Sequence, residues 1–460
     1  MSTLPRSTAQ TAPFAPAASA FTALRRAVRP LSGPDRGGPL ASRAFRLFLL
    51  TQSVAGTGTW VQRTAQDWLV LHLTGSAAAV GLVVTVQCLP TLLFGLWGGA
   101  VADRCRPRRL MVLCNAGASV LALVMTVLVT TGTARMWSVC VLAGALGVIT
   151  TVEGPARQVL LPRLVAPEHR RSATGLAAAA YQLARIVGPA AAGLVIGFLG
   201  TGWAFLICAV MPLLCAVGLF ALRHVPALDR DPAPRAAADA RGRWHEALRT
   251  VATHPQLRWT LVLSGCMALL GMNLPVLLPA LATEGFGAAA ESFGVLSALV
   301  AVGSLLGALL AARLRTCPLR TLAFCALSMG ALQITAGFAP SLAAFGAVLV
   351  PVGVAALCFT TTAATAVQMG VGPELQGRVA GLAMLVTLGA TTLGAPLAGA
   401  VAEGLGARAA FALAGASCVG VAVLAVVAVV RTRHGARTAP RRARARRAVA
   451  AARRPATAEA

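Results

Sequence analysis

The chain has no lysine; all 40 of its basic residues are arginine, set against 14 acidic ones, for a net charge of +26. Charged residues make up only 12% of the sequence, about half the share of a soluble domain. It has a single tyrosine. A basic excess can mark a nucleic-acid surface, but these arginines lie between apolar stretches and at the termini, not interleaved with aromatics. That distribution argues against a nucleic-acid partner. Eleven cysteines are present, most within apolar runs, as at Cys88, Cys208 and Cys266. None forms a C-x-x-C or a Cys/His group at zinc spacing, so they read as small buried hydrophobes with no disulfide, metal or cofactor. There is no phosphate-cradling glycine loop and no nucleophile elbow, which argues against an enzyme. The first 45 residues lack a clean apolar core before Arg25, so no cleavable signal peptide is expected.

What the sequence does have is grease. It is 57% hydrophobic over 460 residues, with a mean hydropathy of +0.75. A membrane-crossing helix needs about 20 mostly apolar residues. Twelve such runs are found, near 47–71, 77–101, 109–132, 137–160, 173–199, 202–222, 259–282, 292–312, 321–339, 341–366, 378–402 and 407–430. Backbone polar groups in lipid must pair within their own segment, so each run is expected to be a helix.

Arginine sets the expected orientation. The odd-numbered runs follow Arg43 and Arg46, then Arg104 to Arg109, then Arg163, Arg170 and Arg171, then Arg249 and Arg258, then Arg313, Arg315 and Arg320, then Arg378. The opposite loops carry Arg135 and Arg408 with Glu284, Glu291 and Glu403. Both termini are therefore expected in the cytoplasm of a cell bounded by this inner membrane. Residues 1–45 read as a disordered tail, 46–222 as a first bundle, 223–258 as a linker, 259–430 as a second bundle and 431–460 as an arginine-rich tail. Within the linker, Trp244-His245-Glu246-Ala247-Leu248-Arg249 has the pattern of an amphipathic surface helix. The last tail suits contact with anionic lipid.

The two halves repeat. Shifted by 206 residues, 167–205 matches 373–411 at fourteen of 39 positions without a gap, including Pro167-Glu168 with Pro373-Glu374, Gly188 with Gly394, Gly193 with Gly399 and Phe205 with Phe411. The matching loop residues speak against a shared alanine/glycine bias alone. The expected fold class is an all-α membrane protein: twelve transmembrane helices in two pseudo-symmetric six-helix bundles.

Between the second and third runs stands Gly98-Gly99-Ala100-Val101-Ala102-Asp103-Arg104-Cys105-Arg106-Pro107-Arg108-Arg109. This resembles the signature loop of the major facilitator superfamily, with Pro107 where the family has glycine. The resemblance implies that Gly99, Asp103, Arg104, Arg108 and Arg109 latch the cytoplasmic side in the outward-facing state; the plainer alternative is a topogenic arginine loop. A second copy, Gly307 to Arg320, lacks the aspartate. Ala184-Arg185-Ile186-Val187-Gly188-Pro189-Ala190-Ala191-Ala192-Gly193 resembles the Gly-Pro motif of antiporter helices, with Gly188, Pro189 and Gly193 as its matching positions. Thr59-Trp60 through Asp67-Trp68, Leu73-Thr74-Gly75-Ser76, Pro155-Ala156-Arg157-Gln158 and Gly377-Arg378-Val379 are similar to a particular branch of the superfamily. That branch, the transmembrane secretion effectors, includes the enterobactin exporter and macrolide-efflux proteins.

Few charges fall well within the runs: Arg63, Asp67, Glu153 and Arg185. On insertion scales each costs about 2.5–3.5 kcal/mol at a helix centre, so such groups face a cavity or a partner. Arg63 with Asp67, and Glu153 with Arg157, stand four apart on one helix face and are placed for local salt bridges. Alternatively, Asp67 or Glu153 carries a coupling proton, because burial favours a neutral acid and a nearby guanidinium a carboxylate. Asp67 is preferred, since the first helix lines the central cavity in this fold. Gln62, Gln66, Gln182 and Asn273 either contact substrate or bond between helices. Trp60 and Trp68 read as packing or interface aromatics, and Pro275 and Pro279 as kinks in the seventh helix. The expected function is export of a small amphipathic molecule by a monomer exchanging it for protons. The rivals are nutrient uptake by symport and a non-transporting receptor.

Overall fold

The computed structural model describes residues 38–222, 248–288, 290–311, 319–371 and 373–427. Twelve helical segments cross its length. The first half holds α1 (Arg43–Thr74), α2 (Ala77–Arg104), α3 (Pro107–Thr130), α4 (Met136–Leu160), α5 (Arg170–Leu199) and α6 (Thr201–Ala221). The second holds α7 (Pro255–Gly285), α8 (Ala290–Ala311), α9 (Leu319–Gly337), α10 (Leu342–Met369), α11 (Pro373–Leu405) and α12 (Ala407–Val427). Eleven of these are long and apolar enough to cross a membrane. α1, at 32 residues, is long enough but carries arginines, glutamines and Asp67. Residues 1–37 of the expected amino-terminal tail, Trp244–Ala247 of the amphipathic segment, Arg313 and Arg315, and the arginine-rich tail lie outside the described residues. Residues 39–41 form a helical turn and 43–45 already belong to α1, so the expected tail is not irregular to residue 45, and residues 248–253 are helical.

Local chemistry sets the helix ends. Ser42 caps α1, its hydroxyl accepting from Phe45 N at 3.2 Å, and Gly75 ends it at φ 64°, a left-handed conformation that suits glycine. Ser76 then caps α2. α7 is not a single helix. An α-helical stretch to Cys266 gives way to a π turn at Met267–Gly271, restarts over Leu274–Ala280 with Pro275 in its first turn, and ends in a second π turn at Leu281–Gly285. The expected kink is thus a full break just before Pro275, whose missing N–H costs least at a helix start. Pro189, by contrast, sits inside a continuous α5.

Lipid gives helices little hydrophobic reason to associate, so they meet where small residues let backbones approach. Within the first bundle α2 packs on α4, α3 on α6, and α1 on both α5 and α6; within the second, α8 packs on α10 and α10 on α9. The bundles meet chiefly through two helix pairs, α2 with α11 and α5 with α8, and α7 also touches α1 and α2. The two chief pairs are exchanged by the sequence repeat. At one, Gly294 of α8 lies against Gly193 and the Pro189 carbonyl of α5; at the other, Gly81 of α2 lies against Ala395 and Pro396 of α11. Ala395 is the position that the 206-residue shift pairs with Pro189. Likewise Gly188 packs on α1 at Trp60, and its mate Gly394 on α7 at Leu269 and Asn273. Phe205 and Phe411 are both fully buried.

The bundles are not in contact along their whole length. At the end where α1 and α5 finish, a single apolar core joins them: Leu69, Val70, Val80 and Phe205 with Val276, Leu281, Phe293 and Phe345. At the end bearing the arginine loops, each bundle keeps its own core, Phe45, Phe48, Met111 and Leu219 in one and Leu263, Met267, Leu322 and Phe359 in the other. The molecule is therefore closed at one end and divided at the arginine end. Large side chains such as Trp97, Phe198 and Phe338 are over 70% exposed on the outside, as expected of surfaces solvated by lipid.

Candidate functional site

A cavity of about 270 Å³ lies between the bundles. On α1, Trp60, Arg63, Thr64 and Asp67 line it, a spacing of three, four and seven that puts all four on one helix face. α5 adds Arg185 and Pro189. The Arg185 guanidinium lies over the Trp60 ring at 5.3 Å, and the Tyr181 ring, one turn earlier, is 6.1 Å from the same indole. Gly188 lets α1 and α5 approach closely enough for this, since a Cβ there would meet the Trp60 side chain.

The facing wall has a different chemistry. It comprises Met272, Leu274, Pro275 and Leu278 of α7, Phe293, Ser297, Val300, Ala301 and Ser304 of α8, Met329 of α9 and Ala356 of α10. None of these is charged, and the Ser304 hydroxyl is already donated to the Val300 carbonyl at 2.9 Å. All the charge in the cavity thus comes from the first bundle, and the second presents an apolar surface.

Two polar atoms of the cavity wall are buried without a protein partner, Trp60 Nε1 and Arg63 Nε, as are Gln66 Nε2 and Asn273 Oδ1 on residues next in sequence to lining ones. Leaving such a group unsatisfied costs about 1–3 kcal/mol, so the site is polar enough to bind something that supplies partners. Asp67 is buried, only 4% exposed. It does not come within the 4 Å of a contact ion pair with Arg63, so the local bridge expected there is not formed.

Other expected site residues fall elsewhere. Glu153 accepts from Arg157 at 3.0 Å, forming the expected local bridge, and neither lines the cavity. Gln62 and Gln182 are half-buried and not among the lining residues; Gln62 sits one position off the α1 stripe, whereas Gln182 shares the face of Arg185 and Pro189 but lies a turn before Arg185, short of the cavity. Asn273 is buried, but its Nδ2 donates to the Leu269 carbonyl at 2.7 Å and so pairs a backbone group beside the α7 break. In the signature loop Gly98, not Gly99, makes the close approach: it is buried against Thr151 of α4, whereas a Cβ on Gly99 would meet nothing within 4 Å. Arg104 and Arg109 are exposed and Arg108 is buried; the Asp103 side chain lies outside what is described. The sequence reading missed Thr64, Phe293, Ser297 and Met329. The first could have been found from its place in the Trp60–Asp67 stripe; the others look like ordinary apolar-helix residues.

The comparisons agree with this architecture. A family model described as transmembrane secretion effector matches residues 36–453. The staphyloferrin A transporter of Staphylococcus aureus is 26% identical over 277 residues, 58% of this chain and 64% of that one. The multidrug efflux pump Tap of Mycolicibacterium fortuitum is 31% identical over 282 residues, 57% of this chain and 65% of that one. The alignment thus spans slightly under two thirds of each relative. Among solved structures, a peptide transporter of the POT type in complex with sulfate superposes with a TM-score of 0.70 at 12% identity, covering 87% of this chain and 97% of that one. A bacterial homologue of the lysosomal transporter Spinster, in an inward-facing conformation, gives 0.62 at 17% identity, with coverage of 84% and 95%. At such identities these structures show the fold alone.

Proposed function

Because this chain belongs to the transmembrane secretion effector family of the major facilitator superfamily, and so is a multi-pass secondary transporter, we propose that it exports a small amphipathic molecule by alternating access. The observation that carries this reading is the cavity between the bundles, charged on one wall and apolar on the other. A cargo with a polar end and an apolar body fits that division: the polar end faces Arg63, Asp67 and Arg185, and the body lies against α7 and α8. Export, as opposed to uptake, draws on the relatives, one a siderophore transporter and one an efflux pump. The antiporter-like motif of α5 supports it too, for its Pro189 lines the cavity and its Gly193 meets α8.

With the arginine loops in the cytoplasm, the closed end faces outward and the conformation is inward-facing. The signature loop, at the divided end, would then be disengaged here and engage when that end closes. We assign the coupling ion as the proton and Asp67 as its carrier. It is the acidic residue of the cavity wall, whereas Glu153 is tied to Arg157. The test is accumulation of ethidium in cells expressing the protein. Export predicts less dye than in empty-vector cells and a difference that a protonophore abolishes. Equal accumulation, or concentrative gain of a nutrient in its place, refutes export. Asp103→Asn tests the latch: transport should fall while insertion is retained.

A further inference from the structure

A second pocket, about 350 Å³, opens at the closed end of the molecule. Trp68, Leu71, His72 and Gly75 line it from α1, and Thr283 and Glu284 from α7. His72, Gly75 and Glu284 are exposed at its rim. Like the central cavity it sets apolar side chains beside polar ones. The two spaces are neighbours. Asp67 lines the central cavity and the next residue, Trp68, lines the second pocket. Phe293, buried in the shared core, lines the central cavity and stacks on the Trp68 ring, with centroids 6.1 Å apart and planes 21° from parallel. Trp68 belongs to the first bundle and Phe293 to the second, so the stack exists only while the bundles are together at this end.

α7 runs past both spaces. Leu274, Pro275 and Leu278 face the central cavity, and Thr283 and Glu284 the second pocket. The intervening helical piece, Leu274–Ala280, is flanked by the two π turns. π turns inside α-helices are frequent at functional sites, and here they bracket the wall that separates the spaces.

We propose that the second pocket is an exit vestibule for the same amphipathic cargo, and that the Trp68–Phe293 stack, braced by the short α7 piece, is the gate between it and the central cavity. This rests on the transport reading above. When the bundles part at the closed end the stack separates, the vestibule and cavity merge, and the cargo leaves past His72 and Glu284. Closure restores the stack before the arginine end reopens.

The test is thiol labelling of whole cells with a membrane-impermeant thiosulfonate, with the unsubstituted chain as blank. Thr283→Cys should react from outside. Ser297→Cys, in the central cavity, should react slowly, and about tenfold faster when combined with Phe293→Ala. If that double variant fails to insert, Trp68→Leu takes its place with the same expectation. Equal Ser297→Cys rates with and without the gate aromatics, or a Thr283→Cys that does not react, overturns the proposal. Labelling needs no flux. A gated labelling pattern without dye export would leave the gate standing and sink the transport reading; dye export with ungated labelling would do the reverse.

Discussion

Glu403 stands on α11, yet its described hydrogen bonds reach across to α2 in the other bundle. Its Oε1 accepts from the Ser76 hydroxyl and from Ala78 N at 3.2 Å. Ser76 is the α2 cap, and while donating to Glu403 its oxygen accepts from Ala79 N at 3.0 Å. A carboxylate from one bundle thus sits at the positive start of a helix in the other, an arrangement available only while the closed end stays closed. Glu403→Gln keeps the shape and removes the charge. Hydrogen bonds to charged groups are worth about 1.5–3 kcal/mol and neutral ones about 0.5–1.5 kcal/mol; interaction with a helix start adds about 0.3–1 kcal/mol at an exposed site. Glu403 is exposed, so solvent screening trims the net loss to about 1 kcal/mol. That lowers the closed-to-open ratio at this end about fivefold. Spin labels at the exposed Thr133 and Leu405, one in each bundle, would report it as about a fivefold rise, by the same conversion, in the ratio of long to short separations. Ser76→Ala should shift the same distribution less, because the Ala78 bond survives. An unchanged distribution in Glu403→Gln would refute the reasoning.

Other outcomes follow from the same geometry. Asp67→Asn should abolish protonophore-sensitive dye export while leaving membrane insertion unchanged; undiminished export would remove Asp67 as the proton carrier. The double variant Glu153→Gln/Arg157→Gln, which breaks a partly exposed local pair, should cost about 0.5 kcal/mol of stability, read as a small fall in melting temperature in detergent, and should leave proton coupling intact. Gly294→Leu should insert but not transport, because its side chain would have to occupy the Gly193 and Pro189 backbone; with the Thr133/Leu405 label pair it should populate the long separation almost alone.

What could be read from the sequence follows from how strongly each feature is written along the chain. Greasy length, arginine placement and the 206-residue repeat are one-dimensional signals, and from them came twelve helices, two bundles and the pairing of Gly188 with Gly394. The starts of α1, α7 and α11 were set several residues late, because arginines and prolines such as Arg43, Pro255 and Pro373 end an apolar run without ending a helix. Asp67, Arg63 and Arg185 were legible as residues that face a cavity or a partner because charge at membrane depth is costly, and all three line the cavity. The apolar wall was not, because Met272, Phe293 and Met329 look like any lipid-facing or core residue until the second bundle is placed. Nor could spacing decide which of two i,i+4 pairs would close: Glu153–Arg157 did and Arg63–Asp67 did not, because spacing fixes the shared helix face and not the side-chain conformations on it.

The repeat also shows where symmetry was given up. Gly188 and Gly394 occupy equivalent places, but what each admits differs: Gly188 admits the Trp60 side chain of an unbroken α1, and Gly394 the backbone of α7 where it breaks at Leu269 and Asn273. The first bundle therefore supplies a stiff, charged stripe, and the second supplies a compliant, uncharged wall with π turns at each end of its central piece. On the transport reading proposed above, binding falls to one half of the duplicated frame and motion to the other. It follows that substitutions at Trp60, Arg63 and Thr64, the α1 stripe apart from the proposed proton carrier, should act mainly on KM for the cargo, whereas stiffening the α7 break, for example by Asn273→Leu, should act mainly on turnover. If both classes moved KM and turnover together, the division of labour inferred from the broken symmetry would be wrong, although the transporter and its cavity would remain.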